Sequence, residues 1–309
     1  MRMLVAGAGA LGGYFGGRLL QIGRDVTFLV RPARAQQIAT HGLRIVSQHG
    51  DATLQPRTVL AGALDEPYDL VLLSLKAYAL DDAMEQFAPA IGPDSAILPV
   101  LNGMRHIDSL SARFGAEKVL GGVARIAATL GPAGEVLQLM VPAHDLVYGE
   151  LGGGISARVR EIEAFMQGAN FAPRASEQIV LEMWEKWVAL ATSAGMTCLM
   201  RGSVGDILNA GGQDTILAML AECQATALAA GFAPRPAGMA AFVGMLTKPG
   251  SPLTASMLRD IEGNYPTEAE HVLGDLAERA ARAGIPTPLL RIALCHLRTY
   301  AARRARETA

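Results

Sequence analysis

Apolar and polar positions along the chain fall into two regimes. The first opens with an apolar run, Met3 to Ala6, short enough for a buried strand. It meets the loop Gly7-Ala8-Gly9-Ala10-Leu11-Gly12, and a segment of helical periodicity, Leu11 to Ile22, follows at once. Gly23 is a helix stop, Asp25 to Val30 reads as a second strand, and Pro32 opens a helix to about Thr40 that Gly42 closes. Leu43 to Val46 and Ala52 to Leu54 flank a His49-Gly50-Asp51 turn, which predicts a small hairpin inserted in the crossover. Leu70 to Leu75 and Ala96 to Leu101 are continuous apolar runs of the kind buried on both faces of a parallel sheet, and Pro99 puts the second at an end or an edge. Ile107 to Phe114 reads as helix. Val119 to Ile126, Val136 to Val141 and Leu146 to Tyr148 read as antiparallel strands joined by the Gly131-Pro132-Ala133-Gly134 turn.

Strands alternating with helices predict a doubly wound α/β sheet. The pattern then changes. Gly152-Gly153-Gly154 punctuates, one helix runs from Ser156 to Gly168, Pro173 follows, and from Ser176 onward nearly every segment has helical periodicity. The expected architecture is therefore α/β plus all-α, with residues 1–174 in the first domain, 175–309 in the second, and the boundary near Arg174.

Composition narrows the function. A chain of 309 residues suits two domains of about 100–200 residues each. A net charge of −2 leaves no electrostatic footprint for nucleic acid or an anionic membrane. The basic tail, Arg298, Arg303, Arg304 and Arg306, reads as a solvated helix end. Cys198, Cys223 and Cys295 are far apart in apolar helical surroundings, so they read as core residues of a reducing compartment, not as disulfides or metal ligands. The longest uncharged apolar stretch, Met3 to Gly17, is shorter than the ~18–20 residues that span a bilayer. It also carries the glycine loop and leads into a second strand without a polar cleavage region, unlike a signal peptide. A soluble cytoplasmic protein is expected.

The loop carries the first chemistry. In G-x-G-x-x-G after a strand and before a helix, Gly7 permits the tight turn, Gly9 lets backbone approach a pyrophosphate, and Gly12 lets helix and strand pack closely. The helix N-terminus adds unpaired N–H groups and a positive dipole end. Together they point to a dinucleotide; the plain alternative is a glycine-rich helix packed tightly on a sheet. Arg31, nineteen residues after Gly12, ends the second strand where an NAD site usually has an acid, which points to the 2′-phosphate of NADP; Arg34 follows one turn on. Of 27 cationic side chains only four are lysines: Lys76, Lys118, Lys186 and Lys248. A lysine can donate a proton, which guanidinium does not.

Together with that loop and Arg31, the motifs Ser74-Leu75-Lys76-Ala77-Tyr78, Leu101-Asn102-Gly103-Met104, Trp184-Glu185-Lys186-Trp187, Ser256-Met257-Leu258, and Asp260 with Thr267-Glu268 make the chain resemble the ketopantoate reductases (2-dehydropantoate 2-reductases) over nearly its whole length. The resemblance implies a Rossmann-type N-terminal domain, an all-helical C-terminal domain, and NADP(H) with a branched 2-oxo acid in a cleft between them. It further implies reduction of ketopantoate in pantothenate biosynthesis. Gly7, Gly9, Ala10, Leu11, Gly12 and Arg31 would bind the cofactor, and Lys76 and Asn102 would lie beside both nicotinamide ribose and substrate. Lys186 would be the general acid, Ser256 would contact the substrate carboxylate, and Glu268 would bind the substrate hydroxyl or the lysine. Trp184 and Trp187 read as core. A homodimer is one option for assembly; these residues do not determine it.

The departures bear on the substrate. Family members usually carry asparagines four and eight residues after this lysine, and here those positions hold Leu190 and Ala194. Lys186, Leu190, Ser193, Ala194 and Thr197 share a helix face, so Ser193 and Thr197 are candidates to replace the amides in a less polar pocket. The alternative is that both hydroxyls bond back to helix carbonyls. Two other functions stay open: a relative acting on a different carbonyl or alcohol, and a non-catalytic NADP-binding sensor, which would have no need of a proton donor.

Overall fold

The computed structural model describes residues 1–139 and 143–308. Two compact units divide the chain: Met1–Leu101 with His106–Val180, and Asn102–Arg105 with Leu181–Ala309.

In the first unit the elements run β1 (Arg2–Ala6), α1 (Ala10–Gln21), β2 (Asp25–Leu29), α2 (Pro32–His41), β3 (Leu43–Val46), β4 (Ala52–Leu54), β5 (Arg57–Val59), β6 (Leu70–Leu73), α3 (Leu80–Phe87) and β7 (Ala96–Pro99). They continue with α4 (Arg105–Phe114), β8 (Leu120–Ile126), β9 (Ala128–Leu130), β10 (Val136–Gln138), β11 (His144–Glu150), α5 (Ala157–Met166) and β12 (Ala172–Ala175). A five-stranded sheet, ordered β5-β2-β1-β6-β7, is parallel throughout. From Met3 to Ala6 in β1 and throughout β6 the strands are buried apolar runs, as a sheet covered by helices on both faces requires. The order reverses between β1 and β6, which is the ligand-binding switch point of a Rossmann sheet. Pro99 ends the edge strand β7, as its missing N–H requires.

Helix α1 lies between two sheets, and residues Gly12 through Leu19 are all buried. A Cβ on Gly16 would come within 2.8 Å of Val5 Cγ2 and Phe28 Cζ in the parallel sheet. One on Gly13 would reach 2.7 Å from Val136 Cγ2, and one on Gly17 2.7 Å from Ile45 Cδ1. Those last contacts belong to a second, four-stranded sheet, ordered β4-β3-β10-β9. Arg18, fully buried, ties the helix to the β3–β4 turn through an Nη2 bond to the Gly50 carbonyl at 2.7 Å.

That second sheet corrects the expected arrangement. The Gly131–Gly134 turn joins β9 to β10, but β10 then pairs in parallel with β3, while β8 and β11 pair antiparallel in a three-stranded sheet with β12. The strand expected over Val136 to Val141 is seen to Gln138; Met140 and Val141 lie outside the described residues. Strand β12 contains Pro173, tolerated on an edge, and places Arg174 opposite Val147. Arg174 is therefore inside the first unit, and the division falls later, between Val180 and Leu181.

The second unit is helical: α6 (Ile179–Met200, from Leu181), α7 (Val204–Asn209), α8 (Gln213–Ala229), α9 (Pro236–Leu246), α10 (Ser256–Glu262), a π-helical turn Glu270–Gly274 leading into α11 (Asp275–Arg282), and α12 (Pro288–Glu307). Glu222 of α8 accepts the backbone N–H groups of Leu289 and Leu290, so a neighbouring carboxylate caps α12, which has no acid in its own first turn. Cys198 and Cys223 are buried, which pushes both thiols up to about 12; Cys295, expected in the core, is exposed. No described helix is long and apolar enough to cross a membrane.

The close packing of α1 makes a clean contrast. Gly16→Val should lower stability by about 1–3 kcal/mol through overpacking, whereas Gly9→Ala, whose Cβ would meet nothing within 4 Å, should leave it unchanged. Thermal denaturation of the two variants measures this; equal melting temperatures would contradict it.

Candidate active site

The glycine loop sits at the switch point of the parallel sheet. Gly7 has φ +102°, donates its N–H to the Leu29 carbonyl at 3.2 Å, and lies so near β6 that a Cβ would be 2.5 Å from the Ser74 carbonyl oxygen. A Cβ on Gly12 would be 2.1 Å from the Gly7 oxygen. Gly9 is the N-cap of α1 and faces open space. Turn, close packing and open approach are therefore divided among the three glycines as a bound pyrophosphate needs, and these residues fit a dinucleotide. Ala10 and Leu11, half-buried, form the first turn of α1.

Arg31 is exposed, is the N-cap of α2 and precedes Pro32 at N1. Arg34 lies in the first turn of the same helix, which carries no acid there. Two cations at the positive end of a helix dipole are unfavourable by themselves, each by about 0.3–1 kcal/mol, and an anion would relieve them. Burial lowers the pKa of the Arg34 guanidinium. Lys76, half-buried, caps the short turn Ala77–Ala79 just beyond β6, on the same strand-end rim of the sheet as the glycine loop.

In the second unit a buried indole organises the remaining residues. Trp187, beside Lys186 on α6, donates Nε1–H to the Val272 carbonyl at 2.8 Å, within the π-helical turn that begins two residues after Glu268. Gly103 has φ +81°, and a Cβ there would be 2.5 Å from the His271 carbonyl oxygen and 3.8 Å from Trp187 Nε1. Arg105 bridges to Glu278 at 2.7 Å and Asp275 at 4.0 Å, and Arg279 lies 5.6 Å over the Trp187 ring. The Asn102–Arg105 loop, the Lys186-bearing helix and the segment after Glu268 are thereby fastened to one another. Asn102 and Lys186 are half-buried, and Glu268 is buried. Glu185 is engaged by Arg235 in a two-pronged pair, at 2.8 and 2.5 Å. Trp184 and Trp187 are both core residues.

The expected helix face is present, with one change of role. Ser193 is half-buried, and its hydroxyl bonds back to the Leu190 carbonyl at 3.2 Å. Thr197 is fully buried; its hydroxyl donates to the Ser193 carbonyl at 2.7 Å and accepts the Ala255 N–H at 3.3 Å. That leaves Thr197 no surface for a substrate, and corrects its assignment: it holds the backbone immediately before Ser256, the first residue of α10. Ala194 is buried and Leu190 half-buried. Gly103 belongs to the Leu101–Met104 motif, but its seat against His271 and the bond made by the Trp187 N–H are not legible in the sequence. Their partners lie on a distant segment, although a Gly after Asn102 was a signal for a positive φ.

Models of two families match: "Ketopantoate reductase PanE/ApbA" over residues 3–153 and its C-terminal counterpart over residues 178–301. An uncharacterized oxidoreductase, YkpB of Bacillus subtilis, is 36% identical, with 98% of this chain and 99% of that protein covered. A crystal structure of 2-dehydropantoate 2-reductase from Geobacter metallireducens superposes with TM-score 0.88 at 29% identity, covering 97% of this chain and 99% of that one. A ternary structure of D-mandelate dehydrogenase with NADH and anilino(oxo)acetate shares the fold, with TM-score 0.88, 21% identity and 99% and 100% coverage.

The two hydroxyls should separate in solution. Thr197→Val strands the Ala255 N–H and should cost about 1–3 kcal/mol in a urea unfolding series, while Ser193→Ala should stay within about 0.5 kcal/mol of the parent. Equal midpoints would remove the structural role given to Thr197.

Proposed function

The chain belongs to the ketopantoate reductase family of nicotinamide-dependent oxidoreductases acting on CH–OH groups, and from that premise we propose that it reduces 2-dehydropantoate, or a closely related 2-oxo acid, to the 2-hydroxy acid with NADPH. The observation that carries this reading is the framework of Trp187, Gly103 and the π-helical turn, which builds the Asn102 loop, the Lys186 helix and Glu268 into one unit.

When bound, a nicotinamide cofactor would supply the hydride that the ketone carbon takes. Charge then grows on the former carbonyl oxygen, and a preorganised cation with a transferable proton lowers that barrier most. Lys186 gives the proton from Nζ. Glu268 steadies the ammonium or accepts the substrate hydroxyl. Asn102 and Lys76 orient cofactor ribose and substrate, and Ser256, at the start of α10, binds the substrate carboxylate. Arg31, exposed at the positive end of α2, takes the 2′-phosphate and sets the preference for NADPH.

A second reading concerns the substrate alone. Leu190, half-buried, stands where one of the family's amides would, the fully buried Ala194 offers no polar group where the other would, and Ser193 spends its donor on a helix carbonyl, so a less polar 2-oxo acid than ketopantoate fits this face. A relative of the same fold holds anilino(oxo)acetate, an aromatic 2-oxo acid derivative.

The assay follows NADPH absorbance with ketopantoate and a panel of aliphatic and aromatic 2-oxo acids, with NADH as control. Turnover of ketopantoate supports the first reading, turnover only of bulkier acids selects the second, and tight NADPH binding without turnover overturns both in favour of a sensor. Lys186→Met should lower kcat/KM by about 10²–10⁴. Arg31→Ala should weaken NADPH by about 10–100-fold and leave NADH nearly unaffected; an equal loss on both would refute the 2′-phosphate assignment.

A further inference from the structure

The second arginine at the start of α2 does something different from the first. Arg34 Nε donates to the Ala8 carbonyl, between Gly7 and Gly9, at 3.0 Å. Its Nη1 donates to the Gly134 carbonyl at 2.7 Å and to Gln37 Oε1 at 2.5 Å, while Gln37 Nε2 donates to the Ala133 carbonyl at 2.8 Å. One side chain thus joins the glycine loop, the α2 helix and the tip of the β9–β10 hairpin, all within the first unit. Gly134, with φ +74°, would place a Cβ 2.2 Å from Gln37 Nε2, so the hairpin tip is seated against this pair of side chains. The guanidinium's anchors are carbonyl oxygens, which hold a cation's N–H groups without neutralising it.

We propose that Arg34 is a positioning residue that sets the orientation of the Ala8–Gly9 peptide for the cofactor diphosphate, and that the β9–β10 hairpin is the brace it pulls against. The proposal rests on the dinucleotide reading of this loop. All peptides in the described chain are trans, and in a planar trans peptide the C=O and N–H point in opposite directions. Fixing the Ala8 oxygen toward Arg34 therefore turns the Gly9 N–H the other way, at the N-cap of α1, the end of a helix whose N–H groups can take a phosphate. Without the arginine, the Ala8 carbonyl is free to rotate and to present a negative dipole end to an anion. The effect falls on the diphosphate, which NADPH and NADH share. Arg31, exposed and bound for the 2′-phosphate, acts on the part they do not share.

The test measures dissociation constants of the purified full chain for NADPH, NADH, ADP and adenosine 2′-monophosphate. Arg34→Met should weaken NADPH, NADH and ADP by one common factor of about ten, the worth of a hydrogen bond with a charged partner, and leave adenosine 2′-monophosphate within about twofold. Arg34→Lys, which keeps a cationic donor, should recover part of the loss. A loss confined to NADPH and adenosine 2′-monophosphate would overturn the proposal and make Arg34 a direct phosphate ligand through Nη2, which is buried without a partner among the described residues. A fall in melting temperature with unchanged binding would overturn it as well, leaving a purely structural strut. If Arg34→Met does not fold, Gln37→Leu removes one of the arginine's acceptors and the hairpin bond together. It should give a smaller loss, again equal for NADPH and NADH, and a nucleotide-selective loss would overturn the proposal. A parent protein that binds neither dinucleotide would overturn the cofactor reading itself and this inference with it, whereas the selective outcomes leave the cofactor reading intact.

Discussion

The close approach of α1 to two sheets is the constraint on which the first unit depends. Glycine in a helix interior costs about 1 kcal/mol relative to alanine, and this helix carries Gly12, Gly13, Gly16 and Gly17. The arrangement is worthwhile because the pairs face different partners. Gly12 and Gly16 bring the backbone down onto Val5, Phe28 and Ser74, while Gly13 and Gly17 do the same against Val136, Leu43 and Ile45. With both sides in contact the helix has one seat, and its N-terminal turn, which carries Gly9, is held at the switch point of the parallel sheet. The dinucleotide loop is thus a consequence of how the helix is packed as much as of its own three glycines.

In the second unit the corresponding fixed point is the indole of Trp187. A buried Trp N–H needs an acceptor, and it finds one in the Val272 carbonyl of a π-helical turn. The wider turn begins two residues after Glu268, and Gly103 rests against its His271 carbonyl. Such turns recur at functional sites because they place side chains that a regular helix would point elsewhere. Lys186 adjoins the anchored tryptophan, so its backbone position is set by a core contact while its side chain stays half-exposed.

The cations show how alike residues take different work from their surroundings. Arg31 and Arg34 lie one turn apart and are the same residue type, and the sequence singles out only Arg31, by its place at the end of the second strand. Arg31 faces solvent at the helix cap; Arg34 is drawn in by three oxygen acceptors on three elements. On α6, Ser193 and Thr197 began as equal candidates, and burial together with the Ala255 N–H decided between them.

What the sequence determined by itself is local or periodic. Strands β1, β2, β6 and β7, helices α1 and α2, the β3–β4 hairpin, the glycine loop and the helical second half were legible because apolar period, turn residues and motif spacing act over a few neighbours. Only the tertiary structure decided the rest. The edge strand β5 is three residues long and β12 contains a proline, so neither carries a local signal, and each exists because a neighbouring strand offers it a hydrogen-bonding edge. The same is true of β10, whose parallel pairing with β3 joins residues about ninety apart and supplies the second wall for α1. The exposure of Cys295 and the internal role of Thr197 are likewise set by long-range contacts. A pattern of side chains states which surfaces must be covered; which partner covers each is chosen by the global packing of the chain.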